Sequence, residues 1–148
     1  MPSPTEDPPV IELSGLVKHF GGRVILDGIN LTVRRGETLV IMGASGCGKS
    51  TLLRCLIGAH KPDEGTVKLF GKDIWSLNPK ELDSVRRRLG ILFQSGALFS
   101  SMTVGENVAL PLQEHTDLSA EMIDLMVKVK LELVGLREAE NQLPSQIS

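Results

Sequence analysis

The segment LVIMGASGCGKSTLLRCLIG, residues 39–58, decides the fold of this chain. It opens with four consecutive apolar residues, a run typical of a buried central strand. Glycines and small residues follow, and Leu52, Leu53 and Leu56 then recur at helical spacing until Gly58. The predicted order is therefore strand, glycine-rich loop and helix.

The loop itself, GASGCGKS at residues 43–50, matches the phosphate-binding pattern G-x-x-x-x-G-K-[ST] in the expected place between a strand and a helix. Ordinary residue frequencies give such a match by chance in fewer than about one chain of this length in a hundred. Glycines let the backbone wrap around a phosphate with its N–H groups turned inward, and the helix adds the positive end of its dipole. The alternative is a glycine turn that binds nothing.

The residues of the motif have distinct expected roles. Lys49 reaches the β- and γ-phosphates, the Ser50 hydroxyl is a hard oxygen ligand suited to Mg²⁺, and Thr51 contacts the α-phosphate. Cys47 lies near a helix N-terminus, where a thiolate is stabilised, although a passive space-filling role is the simpler interpretation. The expected nucleotide-binding residues of this segment are Gly43, Ala44, Ser45, Gly46, Cys47, Gly48, Lys49, Ser50 and Thr51.

Upstream of this segment, residues 10–33 alternate in places between apolar and polar side chains. This period of two predicts antiparallel strands, with Gly21 and Gly22 at the turn between them. Residues 1–9 hold four prolines and two acids, a composition that predicts a short disordered tail. We therefore expect one domain over residues 10–148.

Downstream, residues 66–70 and 89–93 are short apolar runs that predict two further strands. Three capping residues indicate helix starts: Asn78, Thr103 and Ser119. An acid follows three positions after each of the first two, as in a capping box. Gly135 stands where the last helix would end.

Composition excludes several other classes of protein. Lys and Arg total 16 against 18 Asp and Glu, so the chain lacks the positive field needed for non-specific nucleic-acid binding. The two cysteines, Cys47 and Cys55, are too few for a disulfide scaffold and are typical of a cytosolic protein. The uninterrupted apolar runs are far shorter than the roughly 20 residues of a membrane-spanning helix.

Residues 17–74, from VKHFGG to FGKDI, resemble the N-terminal part of ATP-binding cassette (ABC) transporter ATPases, and the likeness runs from about residue 10 to 148. The resemblance implies an α/β fold: a P-loop NTPase nucleotide-binding domain, with an antiparallel β subdomain and the start of a helical subdomain. It also implies that Phe20 stacks on adenine, whereas the alternative is a core phenylalanine at a strand end. Gln94 matches the glutamine that touches the magnesium site, beside Ser50; taken alone, it would be an ordinary polar residue at a strand end.

The stretch LFQSGALFSSMTVGENVALPL, residues 92–112, is similar to the ATPases of Mla-type phospholipid-trafficking and solvent-tolerance transporters. This resemblance implies an ATP-binding subunit that uses ATP and Mg²⁺ to move phospholipid or another hydrophobic substrate. It also implies a transmembrane permease partner, a second nucleotide-binding domain in a homodimer, and a cytoplasmic place on the inner face of the cell membrane. Phe99 and Met102 are then candidate docking contacts, with core packing as the alternative.

Three parts of the family pattern are missing from these residues: the signature loop, the apolar strand ending in Asp-Glu that supplies the general base, and the switch histidine. The closing LPSQIS resembles the lead into the signature, so we expect the chain to stop inside the domain, with no catalytic residue of its own and no hydrolysis. Two alternatives stay open. One is another P-loop NTPase, although the N-K-x-D pattern of GTPases is absent, and the other is a non-hydrolysing nucleotide-binding module.

Overall fold

The structure is a computed structural model that describes residues 8–93 and 96–147. The chain divides into two compact units, Met1–Gly90 and Ile91–Ser148. The expected tail falls mainly on residues 1–7, which lie outside the described residues. In chain order, the elements are β1 Ile11–Phe20, β2 Arg23–Val33, α1 Lys49–Leu56, β3 Glu64–Leu69, β4 Lys72–Asp73, α2 Pro79–Arg86, α3 Val104–His115 and α4 Ala120–Leu133.

The first unit is built on an antiparallel sheet with the strand order β2-β1-β3-β4. Strands β1 and β2 form a hairpin in which Phe20 pairs with Arg23. The two intervening residues, Gly21 and Gly22, have φ angles of 55° and 78°. Positive φ at both positions is what a two-residue hairpin turn requires, and glycine adopts it without strain. The predicted antiparallel strands and their turn are confirmed.

The core of this unit lies between the sheet and the helices that follow it. Helix α1 contributes Leu52, Cys55 and Leu56, which are all buried. Helix α2 begins as predicted, because the Asn78 side chain accepts a hydrogen bond from the Glu81 N–H and Glu81 returns one to the N–H of Asn78. The buried residues of the core are Leu13, Leu16, Leu26, Leu52, Cys55, Leu56, Val67, Leu69, Ile74 and Val85.

The two strands predicted beside the glycine-rich loop and before Gln94 are absent from the described residues. Residues 39–42 form no strand, and Val40 and Met42 are 70% and 86% exposed. Residues 89–93 likewise form no strand, and Leu92 is 89% exposed. A buried strand needs neighbours that bond its backbone groups, and neither segment pairs with a strand of the four-stranded sheet. The two predictions of buried strands are therefore wrong for this structure.

In the second unit, helices α3 and α4 pack against each other and are followed by two short 3₁₀ turns, Arg137–Ala139 and Pro144–Gln146. Thr103 and Glu106 form the predicted capping box of α3, and Ser119 caps α4. Gly135, with φ of 70°, follows the end of α4 as expected. The core of this unit consists of Val104, Ile123, Val127 and Leu131.

Among the described residues, no helix is both long enough and apolar enough to cross a membrane.

The sheet core makes a direct prediction about stability. Leu16 is fully buried in β1, so Leu16→Ala should lower the free energy of unfolding by about 2–5 kcal/mol through lost burial and a residual cavity. Val24→Ala, at a 48% exposed position of β2, is the matched control and should cost less than about 1 kcal/mol. Urea unfolding of both variants measures the difference; equal costs would contradict this placement of the core.

Candidate nucleotide-binding site

The glycine-rich loop leads directly into α1, and its geometry depends on Gly48. This residue has φ of 98° and is buried. A Cβ atom at this position would lie 2.9 Å from the carbonyl oxygen of Ile25 in β2, so any side chain would push the loop off the sheet. Gly48 therefore sets the start of α1 against β2, while residues 43–47 remain exposed.

The N-terminus of α1 differs from those of the other helices in the described residues. Asn78, Thr103 and Ser119 cap α2, α3 and α4 with their side chains, but no side chain caps α1 and no acid lies in its first turn. The first N–H groups of a helix need partners and carry partial positive charge. The start of α1 is therefore suited to an anion.

Lys49 adds a full positive charge at the same place. Its Nζ atom donates to the carbonyl oxygens of Gly43 at 2.7 Å and Ala44 at 2.8 Å. The third neighbour is the Sγ atom of Cys47 at 3.5 Å, a weak acceptor. An ammonium group has three donors, so a phosphate oxygen could replace the thiol without breaking either bond to a carbonyl. The lysine thus holds the loop together and keeps one donor for a stronger acceptor.

Hydroxyl groups follow the lysine in the first turn of α1. Ser50 is exposed and Thr51 is half-buried. Mg²⁺ prefers hard oxygen ligands, and at nucleotide sites the phosphates supply several of them, so few protein ligands are needed. The Ser50 hydroxyl is suited to be one of these protein ligands. Gln94, the second expected metal contact, lies outside the described residues. Within residues 8–93 and 96–147, no group of three or more His, Cys, Asp and Glu side chains could hold a metal ion.

The two cysteines have different environments. Cys47 is exposed in the loop, whereas Cys55 is buried in the core beneath α1. Burial raises the pKa of the Cys55 thiol, with a smaller opposing effect of Lys18. Cys55 therefore acts as a small apolar side chain of the core.

Phe20, the expected adenine contact, ends β1 and is 45% exposed. The Nζ atom of Lys18 lies over its ring, 5.4 Å from the centroid. The ring of His60 meets it nearly at right angles, with the centroids 5.5 Å apart. This exposure argues against a core role and leaves aromatic surface available to a planar ligand.

Asp63, which the sequence did not single out, joins the strand that carries Phe20 to the loop after α1. Its carboxylate accepts the N–H of His19 at 2.6 Å and the Nζ of Lys18 at 3.0 Å. The His19 N–H bond first, and the Lys18 bond next, lower the pKa of Asp63 from its usual 3.8 to about 2. Nothing in the local sequence HKPDEG, residues 60–65, marks Asp63 as a contact residue, because its partner His19 lies 44 positions away in the chain.

In the second unit, the segment before α3 is held by Asn107. Its side chain accepts the N–H of Phe99 and donates to the carbonyl oxygens of Phe99, Met102 and Thr103 at 2.9–3.1 Å. Phe99 is 57% exposed and Met102 is half-buried. The exposure of Phe99 argues against the alternative of core packing for this residue.

A glycine-rich loop, a lysine folded over it and an uncapped helix start define a P-loop nucleotide-binding fold. Residues 26–148 match the family described as ABC transporter. This chain therefore belongs to the ABC transporter family.

Three curated relatives show which members of the family the chain is similar to. The intermembrane phospholipid transport system ATP-binding protein MlaF of Haemophilus influenzae is 46% identical over 139 residues, which are 94% of this chain and 53% of MlaF. MlaF of Escherichia coli is 49% identical over 128 residues, 86% of this chain and 48% of that protein. The probable ribonucleotide transport ATP-binding protein Mkl of Mycobacterium tuberculosis is 44% identical over 138 residues, which are 93% of this chain and 38% of Mkl. The chain spans about half the length of these relatives or less.

Solved structures agree with this family. The bacterial ABC transporter cassette MJ0796, solved as a dimer, matches with a TM-score of 0.84 and 33% identity over 93% of this chain and 63% of the other. CbiO1 from Clostridium perfringens, part of the ABC transporter complex CbiONQ, matches with a TM-score of 0.79 and 28% identity. The match covers 95% of this chain and 56% of CbiO1. The expected fold class, the N-terminal part of an ABC nucleotide-binding domain, is confirmed.

The lowered pKa of Asp63 predicts how this contact responds to acid. A folded-state pKa of about 2 against a usual 3.8 means that the carboxylate stabilises the fold above about pH 4 and loses this effect as the pH falls toward 2. The difference in unfolding free energy between wild type and Asp63→Asn should therefore shrink as the pH falls from about 4 through 2. Urea unfolding at each pH measures it. Glu64→Gln removes the same charge one residue along and should follow the wild type; a difference that is as large at about pH 2 as at about pH 5 would contradict the contact.

Proposed function

We propose that this chain binds the triphosphate of ATP on the loop at residues 43–51 and belongs to an ATP-driven transporter subunit. The observation that carries the proposal is the coincidence of three features at one place: the uncapped start of α1, the Lys49 ammonium and the exposed loop backbone. Each favours negative charge, and all three lie within nine residues of the chain. The expected adenine contact, Phe20, lies in the same unit, with exposed aromatic surface.

Mg²⁺ fits this site through the Ser50 hydroxyl, with Gln94 as a second contact that the sequence resemblance implies. When bound, the ion neutralises charge on the terminal phosphates. The chain's own residues bind and orient: Lys49 holds the terminal phosphates, and the first-turn N–H groups of α1 hold the phosphate nearest the helix. We expect ATP affinity to depend on magnesium for this reason.

Hydrolysis needs a group that these 148 residues lack. No apolar strand in the sequence ends in Asp-Glu, and no histidine matches the switch position. A general base that takes the proton of the attacking water contributes about a hundred- to ten-thousandfold to a reaction rate, so its absence should leave hydrolysis slow even where the phosphates are well positioned. We propose that the complete protein hydrolyses ATP and that this chain by itself binds ATP without hydrolysing it.

The cargo and the partners are inferred from the relatives. Two of the curated relatives carry intermembrane phospholipid transport in their names, which supports phospholipid or another hydrophobic substrate. Mkl carries ribonucleotide transport in its name, so the lipid assignment depends on the MlaF likeness and on residues 92–112. The same likeness supports a permease partner and a cytoplasmic place against the cell membrane, and the dimeric cassette structure supports a second copy of the domain. Nucleic acid is not expected as a partner.

The charge of Lys49 is the first test of nucleotide binding. Lys49→Ala should weaken the affinity for Mg·ATP by about ten- to hundredfold, because a charge-assisted contact to phosphate is lost. Lys80→Ala removes the same charge from an exposed position of α2 and should leave the affinity unchanged. Titration calorimetry gives both affinities, and circular dichroism checks that each variant is folded. Equal affinities in wild type and Lys49→Ala would contradict the site.

The absence of a general base gives a second test. The 148-residue chain should bind Mg·ATP but release no inorganic phosphate above the rate of the same solution without protein. Phosphate release that Lys49→Ala abolishes would show that these residues suffice for hydrolysis, and would overturn this part of the proposal.

A further inference from the structure

The strongest unexplained feature is the set of contacts around Asp63, which lies outside the phosphate loop. Besides the two side-chain contacts described above, the N–H of Asp63 donates to the carbonyl oxygen of Val17 at 2.9 Å. Three consecutive residues of β1, Val17, Lys18 and His19, are thus bonded to one aspartate. Phe20 is the next residue along the strand, so Asp63 fixes the backbone from which the Phe20 ring projects.

The contact of Lys18 with Phe20 depends on the same aspartate. A lysine side chain has many rotamers, and a position over an aromatic ring costs conformational entropy unless the ammonium group has another anchor. The Asp63 carboxylate supplies that anchor at 3.0 Å, and the Lys18 side chain is only 14% exposed. Lys18 therefore occupies one side of the Phe20 ring, and the exposed part of the ring remains for a base.

The loop that carries Asp63 is also tied to the helix that begins at Lys49. The N–H groups of Ala59 and His60 both donate to the carbonyl oxygen of Arg54 in α1, at 2.8 and 3.0 Å. His60 in turn contacts the ring of Phe20. The aromatic ring and the phosphate loop are consequently linked through opposite ends of α1, which fixes both with respect to one helix.

From these contacts we infer that Asp63 and Lys18 are positioning residues for the nucleotide base. Asp63 holds Lys18 against Phe20, and the ring is then pre-ordered to stack on a purine. The inference rests on the proposed function, because it takes Phe20 as the base contact. A ring already held in place loses less freedom on binding, and a cation on one side polarises the ring toward an electron-rich base on the other.

The test separates the base from the phosphates by comparing ATP with inorganic tripolyphosphate, each with Mg²⁺. Asp63→Asn keeps an oxygen acceptor but removes the charge that anchors Lys18, and Lys18→Met keeps the aliphatic stem. Both variants should bind ATP about two- to fivefold more weakly, the size of an exposed cation–π contact, and should bind tripolyphosphate as the wild type does. Glu64→Gln, the adjacent exposed acid, is the control and should change neither affinity.

The possible results lead to different conclusions. Selective loss of ATP affinity in both variants supports the inference. Unchanged ATP affinity, or an equal loss for ATP and tripolyphosphate, overturns it and leaves the phosphate site intact. A wild type that binds neither ligand overturns the proposed function and the inference together, whereas Phe20→Ala with wild-type affinity for ATP overturns the inference alone.

Discussion

The candidate site depends on one interaction, the closure of the glycine-rich loop by the Lys49 ammonium. Two carbonyl oxygens, of Gly43 and Ala44, accept its hydrogen bonds and draw the start of the loop toward the start of α1. The helix begins this close to β2 only because residue 48 is glycine: a Cβ added there would lie 2.9 Å from the carbonyl oxygen of Ile25. Positive charge and free helix N–H groups therefore meet at one exposed place.

This arrangement has a consequence for the way the nucleotide is held. The phosphates and the base would be bound by different segments, the loop before α1 and the end of β1. Backbone bonds from the loop after α1 to Arg54 and contacts of Asp63 with Lys18 connect the two segments. Because α1 packs its buried side chains into the sheet core, both ends of the site depend on the same core. Damage to the core should thus affect base and phosphate binding alike.

Local patterns predicted much of this structure. The glycine turn of the hairpin, the Asn78 and Thr103 caps and the loop before α1 depend on neighbouring residues, and each was found where the sequence indicated. Strands over residues 39–42 and 89–93 were predicted wrongly, because an apolar run becomes a strand only beside pairing partners that a local pattern does not specify. The Asp63 contact escaped prediction for a related reason: its partners are distant in the chain. The roles of Phe20 and Gln94 stay predictions.

The most direct measurement of the central claim is the response of backbone amides to Mg·ATP in a nitrogen-15 nuclear magnetic resonance titration. If the triphosphate lies on the loop, the amide signals of residues 43–51 should shift together as ATP is added, with the first-turn amides of α1 among the largest changes, since these N–H groups would gain a charged acceptor. Shifts confined to other parts of the chain, or none at saturating ATP, would contradict the account.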